Sequence, residues 1–391
     1  MIASKIEQAM TTSSWIRKMF EEGTRLKAIH GEDNVFDFSL GNPNLRPPKA
    51  FHDALETAVA QGKEQGHGYM SNVGFPHVRE AIAKTLKVQQ AKDVTPEDIV
   101  LSCGAAGGLN IVLKALLNPG ETVLVPAPFF PDYHFYALNH GGTLETVATR
   151  EDFTLDMDAF DAAITEKTRV VIINSPNNPT GQIYSRESLD ALGVLLEKKS
   201  RQYGREIYLV SDEPYRKIVF NDTEVPPVFA SYANTIVVSS HSKDLSLAGE
   251  RIGCVVINPD LTHKKDMRNA LALANRVLGF VNAPALMQRV LPFLQDASVD
   301  IDAYRRKRDI FCDGLTDAGY NFTVPPGAFY IFPSSPVPDD VAFVKALQDE
   351  LILAVPGRGF GGPGHFRLAF CVADEVIENS LPAFKRVMEK F

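Results

Sequence analysis

Cysteine is scarce in this sequence: Cys103, Cys254, Cys312 and Cys371 lie far apart and form no C-x-x-C pair. That spacing excludes a disulfide framework and a cysteine zinc site, so no metal site is expected, only small buried hydrophobes in a reducing compartment. Long apolar runs are missing too. None approaches the length of a membrane span, and the start, "MIASKIEQAMTTSSW", is polar with no signal-peptide core. We therefore expect a cytoplasmic protein with no membrane partner. Basic blocks are also absent. Forty Lys and Arg against 48 Asp and Glu leave a net charge of −8, which argues against a nucleic-acid partner but leaves room for a local basic pocket.

What remains is ordinary globular usage, 45% hydrophobic and 23% charged over 391 residues, without tandem repeats or low-complexity tracts. That length suits two domains. A polar helical start runs from Ser14 to about Ala28, and "VFDFSLGNPN" alternates like a strand before the turn Gly41-Asn42-Pro43-Asn44. From about Asp98, strand, turn and helix repeat. "DIVLSCGAAGG" reads as a strand ending in glycines, and "TRVVIINSPNNPTG" and "REIYLVSDEPY" are near-continuous apolar runs, as strands covered on both faces should be. After Pro284 the texture changes to a long amphipathic segment and short alternating strands such as "GAFYIFP" and "HFRLAFCV". The expected fold class is α/β. Residues 47–288 form a large domain with a mostly parallel sheet wrapped by helices, and residues 1–46 and 289–391 build a smaller α+β domain.

In open parallel sheets, ligands bind beyond the carboxyl ends of the strands, so the residues delivered there matter most. They are, in order, Gly104-Ala105-Ala106-Gly107-Gly108 at a helix start, Phe129 and Phe130, Asn177-Asn178-Pro179-Thr180-Gly181, and Asp212 with Tyr215. The last strand delivers Ser240, Ser242 and Lys243, then Arg251. Alone, each reads as a turn, a solvated charge or noise. Together, in one order, they describe a pocket for a phosphorylated, aldehyde-bearing aromatic. A lysine amine forms an imine with a carbonyl, and an aspartate holds a ring nitrogen protonated. Tyrosine and amide groups bond a phenolate, while hydroxyls, an arginine and helix N–H groups hold a phosphate. That ligand is pyridoxal 5′-phosphate (PLP).

These spaced motifs resemble the fold-type I PLP-dependent aminotransferases of class I/II, the aspartate aminotransferase-like family, from about Ser14 to the C-terminus. The resemblance implies that Lys243, in S-x-S-K, is the Schiff-base lysine and general base, and that Arg251, in R-x-G, is the phosphate arginine, with Ser240 and Ser242 beside it. It implies that Asp212 pairs with the pyridine nitrogen, that Tyr215 and Asn178 bond the 3′-oxygen, and that Phe130 stacks on the ring. Gly104, Ala105 and Ala106 fall in the phosphate turn. Tyr69, in "GHGYMSNVGFPHVREAI", matches a tyrosine that reaches the neighbouring subunit's phosphate in a homodimer with shared sites. Gly41 and Arg367 match the substrate α-carboxylate contacts; Arg367 also stands on an alternating strand, where its fork can grip a carboxylate.

The implied activity is exchange of an amino group between an L-amino acid, aspartate- or glutamate-like, and a 2-oxo acid such as 2-oxoglutarate, by a ping-pong route. Specificity is where the sequence departs from the family. One bacterial branch has a lysine in the Gly-rich turn, where this chain has Ala106. Another has an arginine before an N-x-P turn, and here Arg276 precedes "VNAP" one residue off that place. If Arg276 is structural, a neutral or aromatic donor recognised by Trp15, Phe129 and Phe360 is the alternative. A β-eliminating C–S lyase of the same fold is the rival enzyme. A non-catalytic regulator fits poorly, since only about forty residues precede Gly41. Gly357–Gly362 matches G-x-G-x-x-G by letter, but Pro363 and Gly364 follow where a helix should start, so a dinucleotide site is not expected.

Overall fold

The computed structural model describes residues 2–11 and 15–391. Ser14, the expected helix start, lies outside them, and the helix is described over Trp15–His30. A short strand, β1 (Phe36–Asp37), follows. The central sheet is then built from β2 (Ile99–Ser102), β3 (Thr122–Ala127), β4 (Thr143–Ala148), β5 (Thr168–Asn174), β6 (Tyr208–Asp212), β7 (Thr235–Ser240) and β8 (Gly253–Ile257). Their order is β2-β8-β7-β6-β5-β3-β4, and only β8 runs against its neighbours.

Burial explains the apolar runs. In β5, Val171 and Ile173 enter one hydrophobic core while Val170 and Ile172 enter another on the opposite face. The period-2 alternation of a strand does this without any change of residue type. The edge strand β4 is the exception, mostly exposed and carrying Glu145, which discourages pairing with a further strand.

One element differs from its sequence reading. The helix after β2 spans Gly104–Leu116, so the glycines read as a turn are its first two turns. Gly104 has φ +71°, which makes the sharp entry possible, and a Cβ on Gly108 would lie 2.8 Å from Val238. The glycines let the helix sit close on β7.

A third core lies outside the sheet's two faces. Met19 and Phe38 from the N-terminal segment join Phe311, Phe329, Phe343, Phe366 and Phe384 there. β1 pairs in parallel with β10 (Ile352–Leu353), after β9 (Tyr330–Ile331). β11 (Val355–Pro356) and β12 (Phe366–Ala369) complete an antiparallel group with β9. The stretch "VFDFSLGNPN" thus yields only two paired residues before Ser39 and Gly41 turn away from the strand. Gly357–Phe360 forms a 3₁₀ turn whose Arg358 is tied to Asp340, with Nε donating over 2.8 Å. It is not a nucleotide loop. Among the described residues no helix is long and apolar enough to cross a membrane, and no cluster of three metal-ligating side chains occurs.

Candidate active site

A cavity of about 320 Å³ opens at the carboxyl ends of the parallel strands. The chain positions singled out in the sequence converge on it: Gly41, Ala105, Ala106, Phe130, Asn178, Asp212, Tyr215, Ser240, Ser242, Lys243, Arg251 and Arg367 all line it. Gly104 stands at its rim, where a Cβ would meet the Arg251 guanidinium at 2.7 Å.

Lys243 follows β7, and its Nζ donates to the Gly41 carbonyl oxygen over 2.8 Å. Burial pushes its pKa down to about 8. Arg367 and Arg251 act in the same direction, and Cys371 opposes them. The amine is therefore far more available near neutral pH than a surface lysine. Asp212 ends β6 and accepts from Tyr133 Oη at 2.6 Å through Oδ2. Its Oδ1 is buried without a hydrogen-bond partner. Burial raises this carboxyl to about 7, with the Glu213 charge adding to the effect and the Tyr133 bond opposing it. A buried carboxylate in that state is stabilised by any cationic N–H donor brought to Oδ1.

Arg367, on β12, is 2% exposed. Its guanidinium lies between the Tyr330 and Phe360 rings, each 4.7 Å away. Nη1 donates to Asn178 Oδ1 at 3.0 Å and Nη2 to the Ser39 carbonyl at 2.5 Å, while Nε has no partner. No carboxylate faces this cation among the described residues, and burial pushes its pKa down. The group is held ready for an anion. Tyr215 Oη shares a 2.8 Å hydrogen bond with Tyr330 Oη. A Cβ on Gly41 would sit 2.1 Å from that Tyr330 oxygen, so the glycine is required by close approach. Arg251 adopts φ +52° and donates from Nη1 to the Ala248 carbonyl at 2.9 Å.

Two positions stay away from the cavity within this chain. Tyr69 is 92% exposed, and Arg276 is exposed near the end of the helix Lys264–Val277. The aromatics expected at the pocket mouth are also elsewhere. Phe360 is fully buried beneath Arg367, Phe129 packs against Gly361, and Trp15 packs against Gly359. Those three shape the loop that carries Arg367, because its glycines leave room only for rings. Ile16 and Leu40 line the cavity instead.

Sequence reasoning missed Asp132, Tyr136, Asn174 and Tyr330, which line the cavity, and Tyr133, which bonds Asp212. Asn174 ties the strand end together, since Nδ2 donates to the Asp212 carbonyl at 2.8 Å and Oδ1 accepts from Asn178 N at 2.7 Å. The signal for Tyr133 and Tyr136 was their spacing of three and six after Phe130, one face of a helix start.

A lysine with a lowered pKa, an unpartnered buried carboxyl oxygen and an arginine without a counter-ion, at the switch edge of an α/β sheet, make an enzyme's site rather than a structural one. The family model for aminotransferase class I and II matches residues 33–384. The aspartate/prephenate aminotransferase of Thermus thermophilus is 31% identical over 90% of both chains. A probable aspartate aminotransferase of Methanocaldococcus jannaschii is 29% identical over 100% of both. Among solved structures, an amino transferase from Eubacterium rectale is similar at TM-score 0.97 and 39% identity, covering 100% of this chain and 99% of that one. The Thermus thermophilus aspartate aminotransferase with maleate is similar at TM-score 0.86 and 28% identity, over 96% and 97%. The chain belongs to the class I and II aminotransferases, and it is a transaminase.

Proposed function

We propose that the chain binds PLP in this cavity and moves an amino group from an L-amino acid to a 2-oxo acid such as 2-oxoglutarate, by a ping-pong route. One observation carries the reading: the buried, unpartnered Asp212 Oδ1 faces the same cavity as the Lys243 amine. The residues present fit the cofactor. Its ring N–H answers the orphan oxygen of Asp212, and its phosphate answers Arg251, Ser240, Ser242 and the helix start at Ala105 and Ala106, where small side chains leave backbone N–H groups open.

When bound, PLP supplies a carbonyl for an amine and a protonated ring that accepts electrons. The chain's own residues supply the rest. Asp212 holds the proton on the ring nitrogen, and Tyr133 keeps that carboxylate in place. Tyr215 and Asn178 orient the ring through its 3′-oxygen, and Phe130 covers one face. Arg367 grips the substrate α-carboxylate beside Gly41, exchanging its bond to Asn178 or Ser39 for a charge-assisted fork. Lys243 Nζ, released from the Gly41 carbonyl, takes and returns the α-proton as general base and acid, a task suited to an amine whose pKa lies near working pH. Tyr69, exposed in one chain, would serve the phosphate of a second copy in a homodimer.

Purified protein loaded with PLP should show the cofactor's absorption band, and one member of an amino-acid panel should bleach it. The donor's 2-oxo acid should form, without ammonia. Aspartate and glutamate are the first donors to try, given the relatives' names. A protein that takes up no PLP, or releases ammonia and pyruvate instead, refutes the reading.

A further inference from the structure

Tyr215 and Tyr330 are both buried in the cavity wall, and their hydroxyls share one hydrogen bond of 2.8 Å. Among the described residues neither hydroxyl has another partner. Tyr215 follows β6 of the central sheet, while Tyr330 begins β9, which pairs with the strand that carries Arg367. The two rings meet edge to face at 5.7 Å and 80°. Phe329 packs on Tyr215 in the same manner at 5.3 Å, which holds that ring from a second side. The bland account is two buried hydroxyls satisfying each other. It leaves open which of them donates, and the direction has a consequence. Each phenol carries a single proton. A Tyr215 that gives its proton to Tyr330 has none left for a ligand in the cavity.

Arg367 sets the direction. Its guanidinium lies 4.7 Å from the centre of the Tyr330 ring, where a cation favours negative charge on the phenol and so strengthens it as a donor. Burial pushes Tyr330 up to about 12, with the Arg367 charge opposing it first; burial also pushes Tyr215 up, with Tyr330 adding to the rise. We propose that Tyr330 is a positioning residue for the cofactor, donating to Tyr215 and so turning the Tyr215 proton toward the 3′-oxygen of PLP. The inference rests on the PLP-aminotransferase reading. A hydroxyl that accepts one hydrogen bond donates the next more strongly. A hydrogen bond to the charged form of the 3′-oxygen lowers its proton affinity. Tyr330 therefore acts on that oxygen through Tyr215.

The test titrates the absorption band of bound PLP with pH in wild type, Tyr330→Phe, Tyr215→Phe and the double variant. The midpoint reports the cofactor's proton affinity, which a purely structural role would leave alone. Tyr330→Phe should raise that affinity about three- to tenfold, the worth of one hydrogen bond. The double variant should match Tyr215→Phe, because Tyr330 has no route to the 3′-oxygen once the Tyr215 hydroxyl is gone. Replacing Tyr330 by 3-fluorotyrosine, a stronger donor of nearly the same size, should lower the affinity. That form also decides the matter if Tyr330→Phe folds poorly. An unchanged or lowered affinity in folded Tyr330→Phe overturns the proposal, as do additive effects in the double variant or a rise with fluorotyrosine. If Tyr215→Phe leaves the titration unmoved, the proposal falls together with the Tyr215 contact. If wild type takes up no PLP, the cofactor reading itself has failed.

Discussion

Asp212 and Glu213 are neighbours in sequence, buried to the same degree, and opposite in their surroundings. Glu213 points away from the cavity, where Oε1 accepts from Ser211 Oγ at 2.8 Å and Oε2 accepts from Gln90 and Arg216, each at 3.0 Å. Asp212 faces the cavity with one oxygen bonded by Tyr133 and the other bare. The arginines repeat the contrast. Arg308, 3% exposed, reaches Asp309, Asn221 and the Pro325 carbonyl, whereas Arg367 has neutral partners only. A buried charge with its partners built in belongs to the fold. One left short of a partner costs stability and waits for a ligand.

The largest break in this pattern comes from Lys243→Ala, which should abolish turnover, because no other side chain at the cavity offers an amine to both carbonyl and proton. Full activity in that variant would remove Lys243 from the mechanism. Next come Asp212→Asn and Glu213→Gln, which should separate function from stability. We expect Asp212→Asn to lower the single-turnover rate on the order of 10²-fold or more. The same variant should raise the melting temperature of the apoprotein above pH 7. The sign follows from linkage. The folded carboxyl, raised to about 7, binds its proton more tightly than the unfolded one, so apoprotein stability falls as pH rises from the ordinary aspartate range towards 7. Glu213→Gln should instead cost roughly 1–3 kcal/mol of stability with kcat little altered. Equal effects of the two on denaturation and rate would erase the distinction.

Arg367→Lys should raise KM for the amino acid by roughly tenfold or more, since a point charge replaces a fork, and thermal stability should hardly change. A kcat loss with constant KM would assign Arg367 elsewhere. The smallest effect concerns pH. Uptake of PLP by the apoprotein should quicken as pH rises through about 8, the lowered pKa of Lys243, and then level off. A rise continuing towards the pKa of a free lysine would mean that the amine is solvated.

Much of the cavity was legible because its residues punctuate the chain locally. Lys243 and its serines interrupt an apolar strand, Asn178 stands in a Pro-rich turn, and Asp212 closes a run with no other charge. The residues that stayed hidden act across distance. Tyr133 matters through Asp212, 79 positions later, and Tyr330 through Tyr215, 115 positions earlier. Trp15, Phe129 and Phe360 misled for the same reason. Being aromatic says that a ring will be buried or stacked, not against which partner.

By itself, then, the sequence determined the strand–helix alternation, the parallel sheet and the group of polar residues at its carboxyl edge. Apolar period, glycine conformation and turn chemistry are properties of a few adjacent residues. The tertiary structure alone decided which of those polar groups are left unpaired. Pairing depends on what the rest of the chain brings within hydrogen-bond reach, and only folding puts Gln90 and Arg216 on Glu213 while leaving Asp212 Oδ1 facing an open cavity.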